Sequence, residues 1–237
     1  MRLSIASLAA LSLVTAACPA AAATRPFPVP GFSKLRVEGP YTVRVHTGTK
    51  PSVVARGPQA QIDKLTVESR GDMLVISTEK SWNWRNMGWG KSETVSIDIG
   101  VPMLDAATLA GSGEMNVDMI RGSDFMAALT GSGNLSIARL ETSRLKAVVA
   151  GSGELNINGR TGRAETSVQG SGDLRAGALT VGLLNASVTG SGDIAVGPTK
   201  VARANVVGSG NIMIAGRPSC TKNKVGSGDI ICGDGVR

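Results

Sequence analysis

Seven glycine-rich corners in this chain are each followed by one oxygen-bearing side chain. The triplet Gly-Ser-Gly begins at Gly111, Gly131, Gly151, Gly170, Gly190, Gly208 and Gly226. Three positions after each first glycine stand Glu114, Asn134, Glu154, Asp173, Asp193, Asn211 and Asp229. Aligned in a stripe, these oxygens would suit a hard cation or sugar hydroxyls. The interpretation we favour is a corner in which each short polar side chain accepts hydrogen bonds from backbone N–H groups.

Other ligand chemistry is poorly matched by the same triplets. Calcium-binding tandem repeats use a shorter unit of about nine residues that is richer in Gly and Asp, so calcium is only weakly indicated and no other cofactor is predicted. A phosphate loop needs a following Lys and a helix, whereas an acid or amide and a strand follow here. The lone histidine, His46, has no second His with which to build a zinc cage or a catalytic triad.

All three tryptophans lie in the stretch "SWNWRNMGWG", at Trp82, Trp84 and Trp89. Large aromatic rings among flexible Gly and Asn residues suit a loop that stacks on sugars or docks on a partner. The alternative is a loop that folds back and covers one end of the molecule, since exposed tryptophans are costly. Both alternatives stay open from the sequence, and the second is the one we favour.

Residues 1–23 resemble an export signal, with Arg2 before an apolar run and then a region of small residues. Cleavage after Ala23 would fit the "AAA" before Thr24. The competing cleavage uses "LVTAAC" as a lipobox and leaves a lipoprotein anchored through Cys18. We therefore expect an exported protein of the periplasm, outer membrane or cell surface, with a membrane contact only if Cys18 is lipidated.

Two further cysteines, Cys220 and Cys232, stand six residues before and six after the first glycine of the last triplet. An export compartment permits disulfides. Their placement predicts a disulfide that staples the final repeat. Arg70-Gly71-Asp72 matches a receptor-binding tripeptide, but between two strands it indicates an ordinary hairpin tip.

The spacing of the triplets predicts the fold. Successive triplets are 18 to 20 residues apart, a period typical of solenoids. Apolar residues share one parity with the glycines, as in strands that have one buried face. This parity places both glycines of each triplet inward and its serine outward. The apolar positions include Leu109, Leu129, Val149, Val168, Val188 and Val206 before the corners, and Met115, Leu135, Leu155, Leu174, Ile194, Ile212 and Ile230 after them.

We therefore predict an all-β protein, a right-handed parallel β-helix-like solenoid of about seven rungs. An N-terminal region of ordinary strands, residues 32–102, precedes the repeats of residues 103–235, and residues 24–237 form one domain. Within the first region, "KLTVESRGDMLVIST" has the pattern of a hairpin and "GPQAQIDKL" that of a short helix or turn.

Charge and aromatic content argue against nucleic acid as a partner. The chain carries a net charge of +7, but its Lys and Arg are scattered and aromatic residues make up 3%. No stacking platform for bases is evident. A general attraction to anionic surfaces or acidic polysaccharide remains open.

The order of these elements resembles a known family, the putative auto-transporter adhesin, head GIN domain. The resemblance rests on "FSKLRVEGPYTVRVHTG", "LTVESRGDMLVIS", "VSIDIGVPMLDAATLAGSGEM" and the recurrent Gly-Ser-Gly units. It implies an exported all-β protein with a right-handed β-helix-like body, and the family name suggests adhesion.

The sequence leaves two candidate functions. The first is a non-enzymatic adhesin-like or envelope-associated protein that presents a rigid repeat surface to a glycan or protein. The second is a carbohydrate-active enzyme, a polysaccharide lyase or hydrolase, which would need two or three carboxylates close together. The acids at Glu114, Glu154, Asp173 and Asp193 follow the repeat, and no rung is marked as a catalytic centre, so the first function is the one predicted.

Overall fold

A computed structural model describes residues 23–79 and 94–233. It is nearly all strand, with one four-residue helix in the described ranges, α1 (Gln59–Ile62). The strands are β1 (Ala23–Phe27), β2 (Lys34–Glu38), β3 (Thr42–Thr47), β4 (Ser52–Gly57), β5 (Leu65–Arg70), β6 (Met73–Thr78), β7 (Ser96–Val101), β8 (Ala106–Gly111), β9 (Glu114–Gly131), β10 (Asn134–Gly151), β11 (Glu154–Gly170), β12 (Asp173–Ala176), β13 (Leu179–Gly190), β14 (Ile194–Val196), β15 (Thr199–Gly208), β16 (Ile212–Ile214), β17 (Ser219–Val225) and β18 (Ile230–Cys232).

The strands stack into a β-solenoid of about six turns, which confirms the predicted fold class. Strands that precede the corners pair in parallel in the order β8–β9–β10–β11–β13–β15–β17, the first ladder. Strands that follow the corners form a second ladder, β9–β10–β11–β12–β14–β16–β18. The long strands β9 to β11 also pair along a third side, where Arg121 faces Glu141 and Glu141 faces Arg160.

The interior is apolar, mostly aliphatic, and continuous from Phe32 to Ile214. The apolar columns predicted from parity are buried in every rung up to Ile212, and only Ile230, in the last rung, is half-buried. One rung alone is too small to bury its own apolar residues. The core therefore forms only because neighbouring rungs stack on one another.

Each corner is built by the close approach of backbones in adjacent rungs. The second glycine is buried, as predicted, and a Cβ on Gly153 would lie 2.3 Å from the carbonyl oxygen of Gly133. The inward placement predicted for the first glycine is wrong, because Gly151 is half-exposed and has φ +124°. That left-handed backbone disfavours any residue with a side chain, so the two glycines are required for different reasons.

The N-terminal strands extend the same ladders rather than forming a separate layer. Strand β2 lies between β6 and β8, and β3 lies between β7 and β9, all in parallel. Gly39-Pro40-Tyr41 therefore stands where later rungs have Gly-Ser-Gly. Tyr41 is 6% exposed and its hydroxyl lies 2.5 Å from Thr78 Oγ1, so a large side chain replaces the second glycine at this end. Burial raises the pKa of the Tyr41 phenol.

Antiparallel strands finish this end of both ladders. Strand β5 pairs with β6, and β4 pairs with both β7 and β1. The predicted hairpin is present as β5 and β6, with Gly71 at φ +65° in its turn. Of the two alternatives for the preceding segment, a short helix or a turn, the structure has the helix α1. Ile62 of α1 is fully buried. Antiparallel strands therefore cover the N-terminal edge of the parallel ladders, so none of the described parallel strands is left unpaired at this end.

The opposite end is the rung of β17 and β18. Cys220 and Cys232 form the predicted disulfide across it. Positions that hold Ala204 and Val206 in the preceding rung hold Lys222 and Lys224 here. Charged residues at inward positions are a known means of protecting a sheet edge.

Two sets of predictions lie outside the described residues. They are the signal segment with Cys18 and the tryptophans Trp82, Trp84 and Trp89. The strands on either side of the tryptophans in the sequence, β6 and β7, pair with β2 and β3, which precede and follow the corner position of their rung. No helix among the described residues has the length and hydropathy needed to cross a bilayer.

Candidate functional site

The seven residues that follow the corners form one stripe on the second ladder, as their spacing predicts. Glu114, Asn134, Glu154 and Asp173 are paired in register from rung to rung, with Thr42 preceding them. We call this stripe, completed by Asp193, Asn211 and Asp229, the corner column. Its side chains point outward, and adjacent rungs are about 4.8 Å apart.

In the C-terminal half of the corner column the side chains are used to hold the rungs together. Asp193 Oδ1 accepts the backbone N–H of Asn211 at 2.8 Å, and Asn211 Oδ1 accepts that of Asp229 at 2.9 Å. Asp173 Oδ1 likewise accepts the N–H of Asp193 at 3.3 Å. The favoured interpretation of the corner, a polar side chain that satisfies backbone N–H groups, therefore holds here, with the donor in the next rung.

In the N-terminal half the backbone makes those contacts itself. The N–H of Asn134 is donated to the carbonyl of Gly113, and that of Glu154 to Gly133. Glu114 accepts a hydrogen bond from Asn116 Nδ2 at 2.8 Å, and Glu154 one from Asn156 Nδ2 at 2.6 Å. Glu154 also pairs with Arg175 of the next rung, at 3.3 Å. Because the backbone supplies these acceptors, the side chains of Glu114 and Asn134 are not needed to join the rungs and stay exposed, while Glu154 is half-exposed.

The serines of the triplets form a second, exposed stripe beside the corner column: Ser112, Ser132, Ser152, Ser171, Ser191, Ser209 and Ser227. The triplets do not form an anion cradle with their backbone. The N–H groups of Ser152 and Gly153 are both donated to the carbonyl of Gly131, at 2.9 and 3.0 Å, and the next rungs repeat the pattern. What the corners offer a ligand is therefore their hydroxyl groups.

Metal chemistry has little support from the geometry. In residues 23–79 and 94–233 no group of three or more His, Cys, Asp or Glu side chains comes together in a way that could hold an ion. The weak calcium hypothesis for the corner column thus stays a prediction without a coordinating cluster behind it.

The remaining candidates occupy ordinary surface positions. His46 Nδ1 lies 3.4 Å from Asp118 Oδ2, and both side chains are about half exposed. Arg70 pairs with Glu68 at 2.7 Å, and Asp72 with Lys34 at 2.9 Å, so both ends of the Arg-Gly-Asp tripeptide are engaged. A hydrogen bond from Lys34 holds the pKa of the Asp72 carboxyl below its ordinary value.

Sequence reasoning missed the charges on the third side of the solenoid. Three guanidinium groups, those of Arg121, Arg139 and Arg160, surround the carboxylate of Glu141. Beside them Arg144 makes a two-point contact with Asp124, and this hydrogen bonding lowers the pKa of Asp124. The signal was present in the repeat, since Arg121, Glu141 and Arg160 fall at nearly the same distance after successive triplets.

Comparison with known families gives one match over most of the chain. Residues 31–218 match the family described as putative auto-transporter adhesin, head GIN domain. No curated protein matches the chain.

Several crystal structures share the fold. A putative adhesin from Bacteroides fragilis is 25% identical with a TM-score of 0.79, covering 88% of this chain and 95% of that one. A putative lipid binding protein from Parabacteroides distasonis is 22% identical with a TM-score of 0.70, covering 89% and 96%. A putative adhesin from Parabacteroides merdae is 16% identical with a TM-score of 0.64, covering 89% and 96%. At such identities the last two show the shared fold alone.

Proposed function

Because the chain belongs to the putative auto-transporter adhesin, head GIN domain family, we propose that it is an exported, non-enzymatic, adhesin-like protein of the cell envelope. It presents the rigid repeat surface of its solenoid to a glycan or protein partner. The similarity to the putative adhesin from Bacteroides fragilis over 88% of the chain supports this proposal. The disulfide between Cys220 and Cys232 is consistent with an oxidising compartment.

The observation that carries the proposal is the exposed N-terminal half of the corner column. Glu114 and Asn134 are exposed and Glu154 is half-exposed, in register with one another and next to the serine stripe. Each rung thus repeats a carboxylate or amide and a hydroxyl at a fixed spacing of about 4.8 Å. Weak contacts repeated along a rigid body add up to useful avidity when the partner is itself repetitive.

The C-terminal half of the column takes a smaller part in this proposal. Asp173, Asp193 and Asn211 are half-buried and already accept backbone hydrogen bonds. A ligand would have to replace those bonds, and an N–H group left unpaired costs about 1–3 kcal/mol. Asp229 is exposed but lies 3.3 Å from Lys224 Nζ.

The tryptophans Trp82, Trp84 and Trp89 are proposed as a second contact. In the sequence they stand between β6 and β7, which pair with β2 and β3 as strands on the two sides of a corner do. Presented at that edge, their rings would offer stacking surface for sugars beyond the N-terminal end of the corner column.

A glycan array that also carries envelope proteins tests the proposal, with polysaccharide depolymerisation measured in parallel. We expect binding without turnover, and a loss of about tenfold for Glu114→Ala/Glu154→Ala, which corresponds to about 1.4 kcal/mol. Glu38→Ala/Glu68→Ala removes two surface carboxylates outside the column and is the matched control. Polysaccharide cleavage that Asp173→Asn abolishes would overturn the non-enzymatic proposal in favour of a lyase or hydrolase. Equal losses in both double variants would remove the corner column from it.

A further inference from the structure

The third side of the solenoid carries an excess of positive charge around one carboxylate. Glu141 lies 3.5 Å from Arg121 Nε, 3.9 Å from Arg139 Nε and 3.5 Å from Arg160 Nη2. The Glu141 side chain is 26% exposed, whereas those of the three arginines are 62–74% exposed. The acid is thus partly covered and the guanidinium groups face solvent.

One carboxylate cannot satisfy these three groups. Each guanidinium has five N–H donors, and hydrogen bonds to oxygen span about 2.7–3.2 Å, which is shorter than all three separations. Lys200 lies on the same side of the solenoid and makes no ion pair with the described residues. Three guanidinium groups therefore share one anion, and most of their hydrogen-bonding capacity is free.

Next to these charges lies a shallow groove of about 520 Å³. Arg160, Glu141 and Lys200 line it, and hydroxyl-bearing residues such as Thr142, Ser143 and Thr180 form much of its floor. The lining residues Gly122, Thr142, Thr161 and Val181 pair in register, so the groove runs along the solenoid axis, across the strands. Arg121 precedes Gly122 in the chain and stands beside the groove rather than in its lining. Arg121 and Arg160 stand two rungs apart, about 9.6 Å.

We propose that this groove binds an acidic polysaccharide lying along the solenoid axis. Acidic groups on the chain would take the place of the missing anions, since guanidinium forks match carboxylates with two parallel hydrogen bonds. Sugar hydroxyls would pair with the threonine and serine floor. The groove lies on a different side of the solenoid from the corner column. Both proposals call for an extended partner, but neither needs the residues of the other.

Other polyanions fit the groove less well. A membrane surface would call for exposed apolar anchors, but Val181, the aliphatic residue in the lining, is 1% exposed. Single-stranded nucleic acid would call for aromatic rings to stack its bases, and no aromatic residue lines the groove in the described part of the chain.

Binding of polygalacturonate to the full mature chain, measured by calorimetry at low salt, tests the proposal. We expect Arg121→Gln/Arg160→Gln to weaken binding about tenfold or more, because each change removes a charged pair of hydrogen-bond donors available to the ligand. Arg36→Gln/Arg70→Gln is the matched control, since each of those arginines pairs with a glutamate two residues away. We expect that control to bind as the wild type does. Glu141→Gln should bind several-fold more tightly, since it removes the one anion that repels the ligand.

Three results would overturn the proposal. They are equal losses in both arginine pairs, equal binding of neutral dextran, and binding of phosphatidylglycerol vesicles that polygalacturonate does not compete away. Each variant's melting temperature shows whether a loss reflects unfolding. If polygalacturonate fails while array binding still depends on Glu114 and Glu154, the groove is refuted and the proposed function stands.

Discussion

At the scale of single residues, the distance between backbones in adjacent rungs decides what can occupy a corner. The buried second glycine leaves no room for a methyl group, because the carbonyl oxygen of the preceding rung lies where a Cβ would be. The serine between the glycines faces solvent and has no such neighbour. One triplet therefore contains positions of very different tolerance.

Gly153→Ala should destabilise the protein strongly. Its Cβ would lie 2.3 Å from Gly133 O and 2.9 Å from Leu129 Cδ2, so backbone and core must both shift. We expect a loss of about 1–3 kcal/mol or more in the free energy of unfolding, measured by denaturant titration. Ser152→Ala, one residue earlier, should stay within about 0.5 kcal/mol of the wild type. Similar losses in the two variants would show that the corner is not limited by packing.

At the scale of elements, the last rung ends both parallel ladders, so its strands are paired on one side only. Among the described strands β17 pairs only with β15, and β18 only with β16. Nearly all residues of β17 are exposed, including those at inward positions. The disulfide compensates by joining the two strands of this rung, 12 residues apart, across the end of the core.

Cys220→Ser/Cys232→Ser should loosen the last rung and leave the others intact. In the chain-entropy model a loop of this size contributes about 3 kcal/mol. Because each rung contacts only its neighbours, the effect should be local. Hydrogen exchange should become faster in β17 and β18 and stay unchanged in β9 to β11. Reduction of the wild-type protein should reproduce this pattern, and uniformly faster exchange along the whole solenoid would contradict it.

At the scale of the whole molecule, the repeat period and the parity of its apolar residues were enough to predict the solenoid. They could not predict that β6 and β7 lie outside β2 and β3, because that order depends on which strands pair and not on periodicity. They also could not predict which residues of the corner column accept a backbone N–H from the next rung and which do not. Whether the N–H of the next rung is donated to a glycine carbonyl, as beside Asn134, or to a side chain, as at Asp193, depends on how adjacent corners stack, which only the assembled ladder shows.

The two ends of the solenoid also determine whether the molecule stays separate from its own copies. Lys222 and Lys224 occupy inward positions on β17, where the preceding rung has Ala204 and Val206. Their ammonium groups lie 3.0 Å from Ile230 O and 3.3 Å from Asp229 Oδ1, across the end of the core. An approaching strand would have to bury these charges, which makes edge-to-edge pairing unfavourable.

Lys222→Val/Lys224→Val should therefore convert the C-terminal edge into an assembly surface. The new side chains continue the inward apolar columns, so a strand of another copy can extend the ladder without burying a charge. We expect light scattering to show association that grows with protein concentration, beyond that of the wild type. Lys50→Val/Lys146→Val makes the same change of charge and hydrophobicity at exposed positions away from this edge. If that control associates as strongly, the association comes from the general loss of positive charge, and Lys222 and Lys224 do not specifically protect the edge.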